Sequence, residues 1–297
     1  MSKQSPSSHP LVLVAASDYG TSSPPKSSTL VTSIFIIGFL ICTEFIMRFV
    51  FDSIQDLNPV LADQIDRHIL ARHIGVDTLA CFICASLGWN AKHLVQEIFD
   101  AAFKGDKNAM KKSGIDKRSF SYEPLAFRLC VFFFAYQIKN LYDTIVWGDG
   151  PEYIMHHVLS LAVAWGAMYP SYAQIYSIFF FGISEVSTAV LCILANFDDD
   201  NGVKGLGDEF PILKVSIGVV FVILFIICRC ILWPVFSYYF VRDSLISLKS
   251  DHPMLKGRVG VIKMNIVSLS VLTVLQLSWL VLIGILAHKE FKAIGLI

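Results

Sequence analysis

Across 297 residues the chain is 55% hydrophobic and only 16% charged, with 24 basic against 24 acidic side chains. Soluble domains run nearer a quarter charged, so an ordinary water-soluble domain is excluded, and zero net charge offers no basic surface for nucleic acid. The seven cysteines are odd in number and lie in apolar stretches, so they read as small buried hydrophobes rather than a disulfide frame. Cys81 and Cys84 have the spacing of a redox pair but lack the strand–turn–helix setting such a pair needs.

Residues 1–28 are rich in Ser and Pro and predict a disordered tail. Within them, Leu11–Ala16 is too short for a signal-peptide core, which predicts no cleavage. A membrane domain follows over 29–290, and 291–297 form a short C-terminal tail. A bilayer core needs about 20 apolar residues per helix. Seven stretches qualify: 30–51, 71–89, 124–147, 153–169, 172–195, 211–241 and 262–287. The fold class is therefore all-α, a polytopic membrane protein of about seven transmembrane helices, with a kink expected at Pro234 in the sixth. Between the second and third spans, Leu94, Val95, Ile98, Phe99, Ala102 and Phe103 repeat at helical spacing among polar residues. This predicts either an amphipathic helix in the headgroup region or an extension of the second span.

Loop charge gives an orientation. The 90–123 and 242–261 connections are basic, and the opposite loops carry Asp149, Glu152, Asp198–Asp200, Asp208 and Glu209. The positive-inside rule places the basic loops and the N-terminus in the cytosol. No N-x-Ser/Thr acceptor marks either side.

Ionisable groups within spans are rare and point to function. A rise of about 1.5 Å per residue converts position into depth from the acidic side. Asp143, His156 and His157 flank one short connection at roughly 6 Å depth, which predicts contact between them. Asp77 and His73 start the second span at a similar level, and Glu44 and Arg48 end the first there, one turn apart and able to pair. Deeper lie Lys139 at roughly 12 Å, Glu185 at roughly 15 Å and Gln276 at roughly 16 Å. Lys139 is the expected partner of Glu185, and Arg128 and Arg229 are expected to snorkel toward the basic side. These levels predict a polar-lined interior open to one face. Adjacent helical residues diverge by about 100°, so one histidine faces the cavity and the other bonds a neighbouring helix. The alternative is that these polar groups serve as interhelical glue. No metal site is suggested.

Tyr142-Asp143, His156-His157 and Glu185-Val-Ser187-Thr188, in this order and membrane setting, resemble the TLC domain shared by translocation-associated membrane proteins, Lag-type ceramide synthases and a neuronal ceroid-lipofuscinosis membrane protein family. The resemblance spans most of residues 30–290. It implies a six-helix, barrel-like bundle around a long apolar cavity, formed by the last six spans. It also implies an endoplasmic reticulum membrane and a role in lipid homeostasis. The synthases carry Asp-x-x-Asp on the helix after the histidine pair. At that distance this chain has Ser184 and Ser187, with Glu185 between them. Glu185 lies about 100° around the helix from Ser184 and replaces an aspartate there only if the helix turns. The chain is thus similar to the non-ceramide-synthase branch.

Three functions follow as expectations. The first is a non-catalytic lipid protein that holds an acyl chain or membrane lipid in a cavity at His156 and His157, with Asp143, Asp77, Lys139, Glu185, Ser187 and Gln276 as buried polar groups. The second is an N-acyltransferase, with acyl-CoA as substrate rather than cofactor, a histidine as base or acyl acceptor, and Asp143 as its orienting carboxylate. The third is a cargo receptor or transporter of the secretory pathway, although paired broken helices are not evident. No cofactor is expected, and membrane lipids are the expected partners.

Overall fold

The computed structural model describes residues 23–106, 108–111, 114–250 and 252–293; most of the expected N-terminal tail and the last four residues lie outside these. Among the described residues every regular element is helical. In chain order we label the main helices α1 (Lys26–Ser53), α2 (Gln64–Asn90), α3 (Gln96–Phe103), α4 (Gly114–Phe120), α5 (Pro124–Trp147), α6 (Pro151–Met168), α7 (Gln174–Ala195), α8 (Pro211–Lys249) and α9 (Val259–Ala293). Helix α1 starts inside the expected tail, and α9 runs past residue 290.

Helices α1, α2, α7, α8 and α9 are long and apolar enough to cross a membrane, and they coincide with the first, second, fifth, sixth and seventh expected spans. The other two, α5 with 24 residues and α6 with 18, carry many of the polar residues singled out above. Helix α1 shows how the bundle is turned. Its buried positions are Thr29, Ser33, Leu40 and Glu44, while Ile34, Phe35, Phe45 and Phe49 are exposed. Polar groups facing in and large apolar groups facing out suit a surface solvated by lipid.

Proline and glycine set the α5–α6 hairpin. Pro124 and Pro151 open the two helices, where a missing N–H costs nothing. Gly148, at φ +71°, ends α5 in the left-handed conformation that glycine adopts without strain. Elsewhere, α2 and α7 touch backbone to backbone. A Cβ on Gly88 would meet the Gly182 Cα at 2.7 Å and the Ile178 carbonyl oxygen at 2.8 Å. Only glycine permits that approach.

Three helices are interrupted by wide π turns: His73–Thr78 in α2, Ile178–Ile183 in α7 and Ile226–Leu232 in α8. Such a turn accommodates one extra residue and re-aims the side chains beyond it. The disturbance expected at Pro234 takes this form, just ahead of the proline. The stretch 90–104 does not extend the second span; it holds the separate amphipathic helix of the other expectation. After a tight turn over Lys92–Val95, α3 is a separate short helix with Ile98 buried. Its Phe99 ring meets Phe236 of α8 edge-on at 5.3 Å. Behind it lies an aromatic core in which Phe179 stacks on Phe236 at 4.1 Å, flanked by Phe180, Trp233 and Phe240.

Candidate functional site

The π turn in α7 ends immediately before Ser184 and Glu185, and the π turn in α8 contains Arg229. Both side chains are thereby brought into the bundle. Arg229 donates to Glu185 Oε1 at 3.1 Å, Thr188 Oγ1 at 2.9 Å, the Ser184 carbonyl at 3.3 Å and Ser187 Oγ at 3.3 Å. Its guanidinium also lies 5.3 Å from the Trp233 ring centre, a cation–π distance. Ser187 in turn donates to the Ser184 carbonyl at 2.8 Å. On the other side of Glu185, Cys81 Sγ donates to Oε2 at 3.6 Å.

Beside this pair is a cavity of about 50 Å³. Its polar wall is Glu185, Arg229, His156, Ser160 and Asn265, and its apolar wall includes Phe133, Phe180, Phe181, Trp233 and Leu272. Ser160 lies one turn after His156 on α6, so both face the same way. Two polar atoms here are buried without a hydrogen-bond partner among the described residues: His156 Nδ1 and Asn265 Oδ1. Buried polar atoms are nearly always bonded, and leaving one unmade costs about 1–3 kcal/mol. Two such atoms on one cavity wall leave positions that a bound donor or acceptor would satisfy.

His156 also touches the rings of His157 at 5.2 Å and Trp279 at 5.5 Å. His157 points elsewhere: its Nδ1 is 2.7 Å from Gln137 Oε1 of α5. An amide oxygen only accepts, so Nδ1 carries the proton in this contact.

The expected contact between Asp143 and the histidines is absent. In the antiparallel hairpin, Gln137 and His157 lie equally far from Trp147 along the chain, whereas Asp143 is level with Pro151. Asp143 instead accepts from Lys139, one turn earlier on α5. Lys139 also donates to Glu44 Oε2 of α1 at 2.8 Å, and Glu44 pairs with Arg48. The expected Lys139–Glu185 pair is therefore not formed. Lys139 is taken by two carboxylates from α1 and its own helix, and Glu185 is taken by Arg229, which turns inward instead of snorkelling. Arg128, by contrast, is exposed at the surface.

Around the start of α2, Arg72 donates to both carboxylate oxygens of Asp149 and lies 3.8 Å from Asp77 Oδ2. Asp77 is buried, and its Oδ1 has no partner among the described residues. His73 meets Asn196 at 3.2 Å. Gln276 is buried on α9 but does not line the cavity. The expected residues thus divide into a cavity pair of His156 and Glu185, with Ser187 outside the lining but bonded to Arg229, and a charged group of Asp143, Lys139 and Asp77, with His157 bonded to Gln137. Ser160, Asn265, Gln137 and Arg72 were not singled out in the sequence. Asn265 carries one weak signal, as a lone amide in the apolar run that begins α9.

Among the described residues no cluster of side chains suited to a metal ion occurs. All seven cysteines are free; Cys42 is exposed, and Cys81, Cys84, Cys130 and Cys228 are buried. Compared with known proteins, the chain has no match among curated proteins or solved structures. It does match the TLC domain over residues 73–284, from the first π turn to within α9. That match covers well over half of the sequence, so the chain belongs to the TLC domain family.

Proposed function

We propose that this multi-pass TLC-domain protein binds a membrane lipid within the bundle, with the lipid's polar end at His156, Ser160, Asn265 and the Glu185–Arg229 pair. The observation that carries this reading is the pair of unpartnered atoms, His156 Nδ1 and Asn265 Oδ1, on residues of the polar wall of a cavity whose remaining lining is aromatic and aliphatic. Asn265 Oδ1 accepts only, so the ligand presents a hydroxyl or amine hydrogen there. A space of about 50 Å³ receives a small headgroup and not a whole acyl chain. The tail then lies against the phenylalanine wall. The protein serves lipid homeostasis in an endoplasmic reticulum membrane, in the branch of the family distinct from the ceramide synthases.

N-acyl transfer from acyl-CoA is the second reading, and the unpartnered His156 nitrogen favours it. A free ring nitrogen beside a cavity can take a proton or an acyl group. Against it, neither histidine is oriented by a carboxylate: His157 is held by Gln137, and Asp143 is held by Lys139. The test is lipid analysis of the purified full chain beside an acyl-CoA transfer assay with lipid amines, both repeated with His156→Ala. The binding reading expects a co-purifying lipid that is depleted in the variant and no acyl product. Product formed by wild type and lost in a folded His156→Ala protein overturns it in favour of transfer.

A further inference from the structure

A second, larger opening lies at the surface of the bundle, away from the histidines. It is a groove of about 450 Å³ between α1, the end of α2 and the start of α5. Ligand sites commonly fall between 300 and 1,000 Å³, so this groove has room for a substantial part of a lipid. Its inner walls are apolar: Ile36, Leu87, Phe127, Val131 and Phe132. Its mouth is polar: Ser28, Thr29, Thr32, Tyr122 and Arg128. On α1 the lining runs from Ser28 to Ile36, roughly 12 Å at the helical rise. Polar mouth and apolar floor are therefore separated along the direction in which a lipid's head and tail separate.

Charge decides which lipid. Arg128 is exposed and forms no ion pair among the described residues. Lys26 stands nearby, its ammonium 5.6 Å from the ring of Tyr169, whose hydroxyl meets the groove residue Thr29 at 2.7 Å. Among the described residues no carboxylate lines the groove, and Glu123, next to its lining residue Pro124, is not part of its walls. The mouth adjoins the basic 90–123 connection. An arginine without a partner at the edge of an apolar slot is matched by a phosphate, which it can bind in a bidentate manner. We propose that this groove holds one anionic phospholipid of the leaflet on the basic side, phosphate at Arg128 and one acyl chain along α1 and α5. This site is separate from the histidine cavity and does not depend on its function.

Native mass spectrometry of the full chain in mild detergent tests the assignment. The probes are phosphatidic acid and phosphatidylcholine with identical acyl chains. The expected result is several-fold greater retention of one phosphatidic acid per chain. Arg128→Gln removes that preference, Arg128→Lys keeps part of it, and Thr32→Trp, which fills the groove, lowers retention of both lipids. Both positions are exposed, so the thermal transition stays that of wild type and a loss of binding is not a loss of fold. Equal retention of the two lipids by wild type, a preference that survives Arg128→Gln, or retention indifferent to Thr32→Trp overturns the proposal.

Discussion

Two buried ion pairs of the bundle are alike in composition and opposite in completeness. Arg118 of α4 meets Asp243 of α8 at 2.7 Å, and the same carboxylate accepts from Tyr176 at 2.7 Å and from Arg242 at 3.0 Å. Arg118 also donates to the Met110 carbonyl at 2.9 Å. Burial works against the charge on Arg118, but Asp243 outweighs it and holds the guanidinium pKa above its ordinary value. Nearby, Tyr172 donates to Ser244 at 2.8 Å, and Ser119 meets Ser247 at 3.4 Å. This cluster fastens α4 to α7 and α8. Glu185–Arg229 is also buried and paired, yet it borders a cavity where His156 and Asn265 each keep one unmatched atom. A buried charge pair is therefore by itself a poor marker of function here. The marker is an incomplete set of hydrogen bonds.

The sharpest way to break this contrast is Asp243→Ala. It removes the carboxylate closest to Arg118, whose remaining partners include the Met110 carbonyl and Glu97 at 3.8 Å, and breaking a buried pair from one side costs about 3–5 kcal/mol in soluble proteins. The expected outcome is loss of monodisperse protein on size-exclusion chromatography in detergent. A normal yield and melting temperature would show that the Arg118–Asp243 cluster is not structural.

Gly88→Val comes next. Its side chain would enter the space now held by the α7 backbone, and overpacking of this kind costs about 1–3 kcal/mol. Because α7 carries Glu185, the variant should melt lower and also retain less lipid. Unchanged melting would mean that the helix crossing is looser than the structure shows.

Asn265→Leu has the smallest expected effect on stability and is the most diagnostic. Replacing an unsatisfied polar group by an apolar one of similar size is close to neutral or stabilising, within about 1 kcal/mol. Melting by intrinsic fluorescence should stay or rise while co-purifying lipid falls. A large drop in stability would mean that Asn265 is part of the glue, and the contrast with Arg118–Asp243 would disappear.

Much of this architecture is legible in the sequence because hydropathy and helix length are linear properties. The five long apolar helices, the Glu44–Arg48 pair one turn apart and the short α5–α6 connection all follow from local spacing. Partner choice does not. Pairing Lys139 with Glu185 requires uninterrupted helices and rests on depth alone. The π turns in α7 and α8 change which face a residue presents, and they leave no clear trace in composition. Glu44 is legible as a charge at the right level, but not as a partner of Lys139, because α1 stands outside the six spans expected to form the bundle. Asn265 becomes visible only through its empty acceptor position in the folded chain.

The wide turn over Ile178–Ile183 has one more consequence, for how this chain is lined up with others. Residues counted forward from His157 pass through a stretch that holds one more position than a regular helix of the same height. In a relative whose helix is unbroken there, the side chain reaching the same wall of the bundle comes one number earlier. The gap in such an alignment belongs inside 178–183.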